Sequence, residues 1–456
     1  MKTQVPVQKN QKYDVEVTDL TYQGLGVAKI DDFPIFIENA LPTESVTIQV
    51  TKVKKNFAFG KTIKILKKSA DRVEPVNRAY TQTGIALLQH LAYPAQLMFK
   101  QHQIQVDFDK MKLDVEVAPT IGMETPYHYR NKAQIPVRLL NGQLQTGFYR
   151  KHSHDLVPIE DFYIQDPEID KAVVVVRNIL RKFQITPYDE KSHRGVIRNI
   201  MVRRGHYSHE MMVVLITKSR KLPSEAELVS EIVDQLPEVK SLVQNINPKN
   251  TNALMGEQNK VLWGKGTITD QLMGLKFEIS PNSFYQVNPV QTEKLYKLAI
   301  QKARLNENDV VIDAYCGIGT ISLSLAKVVK KVYGVDIVPE AIEDANRNAR
   351  LNKLNNCQFI TGKAEDQLAK WQKDGLKPDV VVVDPPRKGL DESLIESVAG
   401  MSPQRLIYVS CNPATLARDA KLLLEHGYQI NQPIQPVDQF PQTVHVESVT
   451  VFEKVR

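Results

Sequence analysis

From about residue 276 onward, short apolar runs alternate with amphipathic ones, and this alternation restricts the fold more than any other feature of the chain. The strand-like runs, such as VVIDAY, KKVYGVDI and DVVVVDPP, are almost continuously apolar, which is typical of strands covered on both faces. The runs between them, such as PEAIEDANRNARLN and TLARDAKLLLEHG, have helical spacing. A parallel sheet with helices on both faces buries all of these elements, so we predict a doubly wound α/β domain over residues 276–456.

The remainder of the chain has a different pattern. Residues 1–70 contain five runs that alternate apolar with polar residues, separated by Gly, Pro or Asp, and we predict a small β-barrel there. Residues 71–275 mix strand-like and helix-like stretches, so we predict an α+β central domain with helices near 170–184 and 224–236. A length of 456 residues accommodates three such domains.

Positive charge is concentrated near the amino terminus. The formal net charge of +7 fits a polyanionic partner without establishing one. Residues 51–68 contain seven lysines and no acid, with Phe57 and Phe59 between them. This pattern favours contacts with nucleic-acid phosphates and bases, and its alternative is a solvated strand edge. Three further basic and aromatic clusters, YHYRNKAQIPVR, TGFYRKHSHD and RNIMVRRGHYS, fit an RNA channel and ordinary exposed strands equally well.

Several classes of protein are disfavoured by what the sequence lacks. The amino terminus has no apolar signal-peptide segment and no run of about 18 apolar residues occurs, so we expect a cytoplasmic protein without a membrane span. Cys316, Cys357 and Cys411 lie far apart without metal-ligand spacing, and we expect neither disulfides nor a metal site. Nothing in the sequence indicates an obligate protein partner.

A glycine loop marks the predicted cofactor site. DAYCGIGT, residues 313–320, links the first strand of the α/β domain to a helix, where ligands usually meet such sheets. Gly317 and Gly319 allow close approach of the backbone to a ligand, and Asp336 ends the next strand at the spacing of a ribose-binding acid. The set indicates an adenosine ligand. Methyltransferases and dehydrogenases both stay open, although the third glycine of the dinucleotide fingerprint is absent.

Gln286 precedes the first helix of the α/β domain in ISPNSFYQVNPVQTEKLYK. Its amide is suited to the amino-acid end of a cofactor. The alternative is that this segment is simply a turn and helix cap built by Asn288 and Pro289. The residues alone leave the two interpretations undecided.

Two strands of the α/β domain end in residues suited to catalysis. In DVVVVDPPR, two prolines stop strand pairing and hold Asp384 at the edge of the sheet. RLIYVS is followed by Cys411, with Asn412 as a helix cap. A thiol at a helix amino terminus is favoured as the thiolate, so we predict that Cys411 is a nucleophile. Cys316, inside the glycine loop, and Cys357, at a strand start, are expected to pack in the core.

Such a thiol suits the methylation of a pyrimidine at carbon 5. That carbon becomes nucleophilic once a thiol adds to carbon 6, and a base must afterwards remove the carbon 5 proton. The candidate base is Glu447 in TVHVESVTVFEKV, at the start of the last strand. By itself this pattern fits an exposed strand carboxylate better, so the assignment depends on the other residues.

The motifs DAYCGIGT, DPPRKGL, SCNPATLARD and HVESV, in this order, resemble the RNA (uracil-5-)-methyltransferase family. YQGLGVAKIDDFPIFIENALPTESVTIQV resembles a TRAM domain, an OB-like RNA-binding barrel found in the 23S ribosomal RNA branch. The resemblance covers essentially the whole chain. It implies a Rossmann-like methyltransferase domain that transfers a methyl group from S-adenosylmethionine to carbon 5 of a uridine in 23S ribosomal RNA.

The same resemblance implies roles for individual residues. Cys411 would be the nucleophile and Glu447 the base. A helix near residues 93–115, after LQHLAYPAQ, would pack on the catalytic domain. The residues that would contact S-adenosylmethionine are Gln286, Tyr315, Asp336 and Asp384.

One part of the family pattern is missing. Many members hold an iron–sulfur cluster on four cysteines, but this chain has Asn77, Thr83 and Ala86 at three of those positions and Phe162 at the fourth. A [4Fe-4S] cluster needs four thiolates, and the chain has three cysteines. We therefore expect no iron–sulfur cluster and a central domain held together by packing.

The alternatives differ in what they require of these residues. A methylase of exocyclic amino groups would have an aromatic residue in place of Arg387 and no use for the thiol of SCNP. A cytosine-5 RNA methylase would use a cysteine, but such enzymes resemble a different arrangement of motifs. A noncatalytic RNA-binding protein would need neither Cys411 nor Glu447. Transfer RNA is the second candidate substrate, disfavoured because relatives that act on it usually lack the barrel.

Overall fold

The computed structural model describes residues 5–250 and 253–455, so residues 1–4 of the predicted barrel and residue 456 lie outside the described part of the chain. The amino-terminal unit is a six-stranded sheet in the order β1-β5-β6-β4-β3-β2 with its own apolar core. The first predicted run divides in two, because its start pairs with β5 and its end with β3. The strands are β1 (Lys12–Glu16), β2 (Asp19–Leu20), β3 (Gly26–Ile30), β4 (Phe33–Glu38), β5 (Ser45–Val53) and β6 (Ala58–Lys67).

Two helices and a seven-stranded sheet follow. The sheet has the order β13-β12-β11-β10-β7-β8-β9, and its two central strands are almost completely buried. The elements are α1 (Arg78–Thr83), α2 (Tyr93–Lys110), β7 (Lys132–Leu140), β8 (Gln143–Tyr149), β9 (Leu156–Pro158), α3 (Pro167–Lys182), β10 (Ile197–Arg204), β11 (Met211–Thr217), α4 (Glu225–Gln235), β12 (Val239–Ile246) and β13 (Gln258–Gly264).

The burial of this sheet on both faces explains its uninterrupted apolar strands. Val202 and Val213 face the core that α3 and α4 cover. Their neighbours Met201 and Met212 face the other way, into a core shared with the α/β unit. Because successive residues of a strand point to opposite faces, both sets must be apolar. The central and α/β units are therefore continuous through one hydrophobic core.

A hairpin of β14 (Ile268–Leu272) and β15 (Leu275–Ile279) connects the two units. The predicted domain boundary after residue 275 falls inside β15. Leu272 on one side of that boundary and Phe277 on the other belong to the same core cluster. The hairpin packs as part of the α/β unit.

The carboxyl-terminal unit is an eight-stranded α/β sheet in the order β18-β17-β16-β19-β20-β23-β21, with β22 paired to β23. The first five strands are parallel and β23 runs antiparallel, so the sheet is mixed at one edge, unlike the all-parallel sheet that we predicted. The elements are α5 (Pro289–Lys302), β16 (Val310–Asp313), α6 (Thr320–Ala326), β17 (Lys331–Asp336), α7 (Pro339–Leu351), β18 (Cys357–Thr361), α8 (Ala364–Lys373), β19 (Val380–Val383), α9 (Glu392–Met401), β20 (Arg405–Ser410), α10 (Pro413–Glu425), β21 (Tyr428–Gln429), β22 (Gln435–Val437) and β23 (Glu447–Lys454).

Helix α2 lies against the α/β unit. Its residues Ile104 and Phe108 share a core with the buried side chains of β20 and α10. Lys100, fully buried, forms an ion pair with the fully buried Asp438, and Tyr93 donates a hydrogen bond of 2.9 Å to the same carboxylate. These bonds anchor the segment that leads from β22 to Glu447.

The barrel is attached beside this segment. Leu41 of the barrel, Leu88 and Val444 belong to one small apolar cluster. Glu44 and Arg72 form an ion pair that is almost completely buried. None of the helices in the described ranges is long and apolar enough to span a bilayer.

The four positions that differ from the cysteine pattern have ordinary structural roles. Ala86 and Phe162 are buried in one apolar cluster with Tyr80, and the Phe162 and Tyr80 rings meet edge to face with centroids 5.2 Å apart. The Asn77 side chain caps α1, and the Thr83 hydroxyl donates to the Tyr80 carbonyl at 3.0 Å. The expected absence of an iron–sulfur cluster stays a prediction.

Candidate active site

Strand order brings the predicted site residues to one edge of the α/β sheet. Strands β16, β17 and β19 end at or just before Asp313, Asp336 and Asp384, and β20 ends just before Cys411. Strand β23 runs the other way and therefore begins at this edge. Ser410 pairs with Ser448 across β20 and β23, which sets Cys411 opposite Glu447.

The glycine loop and Asp336 form one hydrogen-bonded unit. Gly317 and Gly319 have positive φ angles of 52° and 86°, and Gly319 is the cap of α6. The Gly317 amide donates to Asp336 Oδ2 at 3.0 Å, and the Val338 amide donates to Oδ1 at 2.9 Å. A Cβ added at Gly317 would meet nothing within 4 Å, so the loop backbone borders open space there. Each Asp336 oxygen keeps a lone pair, which suits the two hydroxyls of a ribose.

Asp313, which the sequence did not single out, lies behind this loop. Its carboxylate accepts hydrogen bonds from the Ser322 hydroxyl at 2.6 Å and the Tyr315 amide at 3.3 Å. Burial raises the pKa of Asp313 to about 6. Tyr315 is half-buried against the apolar core at the loop, and Cys316 is buried. The Asp313 bonds hold the loop that carries Tyr315 and Gly317.

The Cys411 thiol is not activated in the way that the helix argument predicted. The cysteine does precede α10, whose cap is Asn412 as expected. However, burial and the carboxylates of Glu447 and Asp384 raise the pKa of Cys411 to about 12, and the Arg387 guanidinium only partly offsets this rise. Desolvation is the largest cause of this rise, and together with the carboxylates it outweighs the helix dipole, which contributes at most about 2 kcal/mol. The thiol is protonated at neutral pH.

Asp384 and Glu447 form the acidic side of this site. Burial, and then the Asp313 carboxylate, raise the pKa of Asp384 to about 7. Glu447 is 7% exposed, and burial together with Asp384 raises its pKa well above the ordinary range. Within the described residues, neither carboxylate accepts a hydrogen bond. Glu447 is buried and Asp384 is half-buried, and carboxyl groups whose pKa values are raised in this way are characteristic of sites built for a ligand or a proton transfer.

The loop that follows Asp384 is bound to the helix that follows Cys411. Asn412 donates to the Arg387 carbonyl at 2.8 Å, and Asp419 accepts from the Leu390 amide at 2.8 Å. Gly389 has a φ of 77°, and a Cβ there would lie 2.6 Å from the Asp419 carboxylate. These bonds join the DPPRKGL and SCNPATLARD segments into one structural unit. They fix the position of Asp384 relative to Cys411.

The segment around Gln286 combines both interpretations given to it. Asn288 caps α5 and Pro289 is its first residue, so the helix-cap interpretation is correct. Gln286 itself is half-buried, and its carbonyl accepts from Asn131 Nδ2 at 3.2 Å, which joins this segment to the central sheet. The side chain of Gln286 stays a predicted cofactor contact.

Two further residues belong to the site although neither was predicted as a site residue. Tyr296 of α5 is buried, its hydroxyl lies 2.9 Å from Thr320 Oγ1, and the charges of Asp384, Asp313 and Glu447 contribute to raising its pKa. Arg387 is exposed beside the thiol, and its charge lowers the pKa of Cys411 and Glu447. Helical spacing gave no signal for Tyr296, whereas Arg387 was visible as the only basic residue next to DPP.

The lysine-rich segment 51–68 lies on the barrel surface. All seven of its lysines are exposed, on and beside β5 and β6. Phe57 and Phe59 are half-buried and pack against each other and Phe36, with ring centroids 5.5 to 5.9 Å apart. These aromatic rings therefore pack within the barrel, which does not favour the predicted stacking on bases. The exposed lysines support the other part of the prediction, which is contact with RNA phosphates.

Comparison with known proteins agrees with this geometry. Residues 92–455 match the family described as tRNA (Uracil-5-)-methyltransferase, and residues 6–63 match the TRAM domain. The chain is 60% identical to an "Uncharacterized RNA methyltransferase" of Lactiplantibacillus plantarum, with 100% of both chains covered, and 54% identical to one of Enterococcus faecalis, with 98% of both covered. The crystal structure of Pyrococcus abyssi tRNA (uracil-54, C5)-methyltransferase in complex with S-adenosyl-L-homocysteine matches with a TM-score of 0.77 at 27% identity, covering 96% of this chain and 99% of that one.

Proposed function

Since the chain belongs to the tRNA (uracil-5-)-methyltransferase family and uses S-adenosylmethionine to methylate RNA, we propose that its substrate is a uridine of 23S ribosomal RNA in the cytoplasm, methylated through a covalent adduct with Cys411. The observation that supports the adduct is the position of Cys411 opposite Glu447, with Asp384 and Arg387 beside them. A nucleophile, a base and a cation thus meet at the cofactor edge of the sheet.

The glycine loop has the features that S-adenosylmethionine requires. Gly317 borders open space, and Asp336 presents two oxygens for ribose hydroxyls. We assign the remaining cofactor contacts to Gln286, Tyr315, Gly319 and Asp384. When bound, S-adenosylmethionine supplies the methyl group from its sulfonium.

Cys411 begins the reaction by adding to carbon 6 of the uracil. Its thiol proton must leave first, because the pKa of Cys411 is about 12. Asp384 is the proton acceptor that we assign, since a pKa of about 7 leaves much of it ionised at neutral pH. The sulfur then bonds to carbon 6, and the electron pair of the carbon 5–carbon 6 double bond moves to carbon 5, which can now accept the methyl group.

Glu447 completes the reaction as the general base. It removes the proton from the methylated carbon 5, the electron pair restores the double bond to carbon 6, and the bond from carbon 6 to sulfur breaks. The Arg387 guanidinium stabilises the Cys411 thiolate as it forms and as it leaves, because its charge lowers the pKa of that thiol. RNA with methylated carbon 5 is released and the cysteine is regenerated.

Transfer RNA is a second candidate substrate, and one comparison favours it. The Pyrococcus abyssi enzyme acts on tRNA according to its name, and the match covers 96% of this chain. The part of this chain outside the match is shorter than the barrel, so at least part of the barrel is matched. The presence of a barrel therefore does not by itself exclude tRNA as the substrate. The residues of the active site are compatible with a uridine from either RNA.

The decisive experiment uses unmodified 23S ribosomal RNA and tRNA transcripts with labelled S-adenosylmethionine. We expect 5-methyluridine in the ribosomal transcript, and its appearance only in tRNA would contradict the substrate proposal. The same transcripts carrying 5-fluorouridine should trap a denaturation-resistant adduct, because fluorine does not leave as a proton does. Cys411→Ala should abolish turnover and adduct, whereas Cys357→Ala should affect only stability. An adduct retained by Cys411→Ala would refute the assignment of the nucleophile.

A further inference from the structure

Three cationic side chains, Arg130, Lys132 and Arg203, lie together where the central sheet meets the α/β unit. Lys132 and Arg203 are directly paired across β7 and β10, so their side chains emerge on the same face. Arg130 precedes them, and its Nε donates to the Lys132 carbonyl at 3.0 Å. The charges of Arg203 and Arg130 both act on the Lys132 ammonium group.

None of the three forms an ion pair within the described part of the chain. Arg203 is 1% exposed, and it donates to the carbonyls of Ser280 at 3.1 Å and Ser283 at 2.8 Å, while its Nε has no partner. The next residue along β10 is different, because Arg204 is paired with both Asp166 and Glu238. The fold therefore neutralises Arg204 and leaves the adjacent Arg203 without an anion.

The carboxylate that acts on Arg203 is already neutralised by other groups. Tyr285 and then Asp344 act to raise the pKa of Arg203, but the Asp344 carboxylate accepts hydrogen bonds from Ser280 and Ser283 and is paired with Arg347. Burial lowers the pKa of Arg203 to about 10 despite this carboxylate. The net charge of the group is thus positive and uncompensated.

Such an arrangement is costly to maintain. Buried charges normally have a partner, because removing an ion from water costs several kcal/mol that only an opposite charge or a hydrogen bond restores. Burial and the two arginines lower the pKa of Lys132 to about 7. An anion that entered here would relieve both the desolvation and the mutual repulsion.

The cations adjoin a segment, residues 280–288, that leads to the active site. Arg203 holds the segment 280–288 through its two carbonyl bonds, and Asn131 holds Gln286 and Val287 of the same segment. Phe284, in the middle of the segment, is 67% exposed. This segment leads directly into α5, which places Tyr296 among the catalytic carboxyl groups.

We propose that Arg130 and Lys132, with the buried charge of Arg203 behind them, bind a phosphate of the RNA backbone next to the uridine that enters the active site. The proposal rests on the proposed function and adds the position of the substrate backbone. A phosphodiester presents two free oxygens to several donors, which suits a guanidinium and an ammonium group together. An enzyme that must extrude a base from its stack also needs to hold the neighbouring backbone.

The carboxylate of S-adenosylmethionine is the other anion available, and the observations favour phosphate. The cofactor loop and Asp336 belong to the α/β sheet, whereas Lys132 and Arg203 belong to the central sheet.

The test compares Lys132→Gln and Arg130→Gln with Lys265→Gln, which removes an exposed lysine from the same region of the chain. A fluorescent hairpin RNA with uridines in its loop is titrated at several salt concentrations. S-adenosylhomocysteine binding and the melting temperature are measured on the same samples. Arg203 is left intact because it also holds segment 280–288.

We expect each of the two variants to bind the RNA roughly tenfold more weakly, as for loss of a charge-assisted hydrogen bond. The slope of log affinity against log salt should fall by roughly 0.7 for each phosphate that the variant no longer binds. The affinity for S-adenosylhomocysteine should not change, the melting temperature should not fall, because a desolvated and repelled charge has been removed, and Lys265→Gln should behave as wild type.

Three results would overturn the proposal. Weaker S-adenosylhomocysteine binding with unchanged RNA binding would assign the cations to the cofactor carboxylate. Unchanged binding of both the RNA and S-adenosylhomocysteine would mean that the three cations have only a structural role. An equal loss of RNA affinity in Lys265→Gln would mean that any positive charge in this region contributes as much as Arg130 and Lys132. Failure of the proposed function is distinguishable, since it would appear as a lack of 5-methyluridine with the wild-type protein, whatever the binding results.

Discussion

Glu447 lies opposite Cys411 across the antiparallel strands β23 and β20, and its carboxylate is the charge that most raises the pKa of the Cys411 thiol. The nucleophile and the base that we propose therefore form one electrostatic unit. Ionisation of either group opposes ionisation of the other, because the buried Glu447 and the half-buried Cys411 lie close together. Each can be tested through its effect on the other.

Glu447→Gln should allow one round of methylation and then stall. Without the carboxylate, the carbon 5 proton cannot be removed, and the enzyme stays joined to its methylated product. Loss of a general base typically slows turnover about a hundredfold to ten-thousandfold. The expected observation is a denaturation-resistant protein–RNA band that contains labelled methyl on ordinary uridine RNA. Glu453→Gln, the same change further along β23, should turn over normally.

Two outcomes would contradict this assignment. If Glu447→Gln turns over at the wild-type rate, another group must be the base, and Asp384 at the same sheet edge is the next candidate. If the variant binds RNA without forming an adduct, Glu447 acts earlier, in placing the uracil.

Alkylation of Cys411 by iodoacetamide should depend steeply on pH. With a pKa of about 12, the thiolate fraction should rise about tenfold per pH unit between pH 7 and 10. Glu447→Gln should increase the rate at pH 9, because it removes the charge that most opposes the thiolate. Cys357 serves as an internal control in peptide mapping, since burial, and not Glu447, raises its pKa to about 11. A rate independent of pH would instead mean that the helix dipole prevails.

Asp384→Asn should stabilise the protein at alkaline pH. The folded pKa of about 7 exceeds the ordinary value of 3.8, so the folded state binds the proton more tightly than the unfolded state. Wild-type stability is therefore lost as pH rises from about 4 to 7, and the whole penalty remains above pH 7. The variant should melt several degrees higher than wild type at pH 8 and about equally at pH 4. An equal difference in melting temperature at pH 8 and at pH 4 would exclude ionisation of Asp384 as the cause.

The barrel lysines should contribute to RNA binding through charge. Replacing Lys61, Lys64 and Lys67 of β6 by glutamine should lower the salt dependence of RNA binding by roughly 0.7 for each phosphate that these lysines bind in the wild-type protein. The matched control replaces three exposed lysines of the α/β unit, Lys353, Lys373 and Lys377. Salt dependence that is the same in both triple variants and in wild type would show that β6 makes no contact with RNA.

The purified protein should contain no stoichiometric iron and should stay active in air. The reason is that a [4Fe-4S] cluster needs four thiolates and the chain has three cysteines. Iron and acid-labile sulfide analysis provides the measurement. About four of each per chain would contradict this prediction.

The elements of this fold were accessible from the sequence because their causes are local. Alternation predicted the strands of the barrel, and helical spacing predicted α3, α4 and most helices of the α/β unit. Asn412 was predicted as a helix cap and Asn288 was one of two interpretations, because a cap depends on residues within one turn. The glycine loop, too, was visible because its positive φ angles are a property of single residues.

Contacts between distant segments could be predicted from the sequence only where a motif indicated them. Nothing near Tyr296 in the sequence shows that it lies among Asp313, Asp384 and Glu447. In the same way, Lys132 and Arg203 become neighbours only through pairing of β7 with β10. The core shared by the central and α/β units also crosses the boundary that the change of pattern predicted, because packing continues where local patterning changes.

By itself the sequence determined the strands, the helices, the caps and the motif residues, since each follows from interactions among neighbours in the chain. Only the tertiary structure decided the protonation state of the site. Cys411 precedes a helix, and local reasoning therefore made it a thiolate. In the fold, desolvation and the carboxylates of Glu447 and Asp384, which lie on other strands, raise its pKa. Burial and charge act through space, and their outcome depends on which strands the sheet makes adjacent.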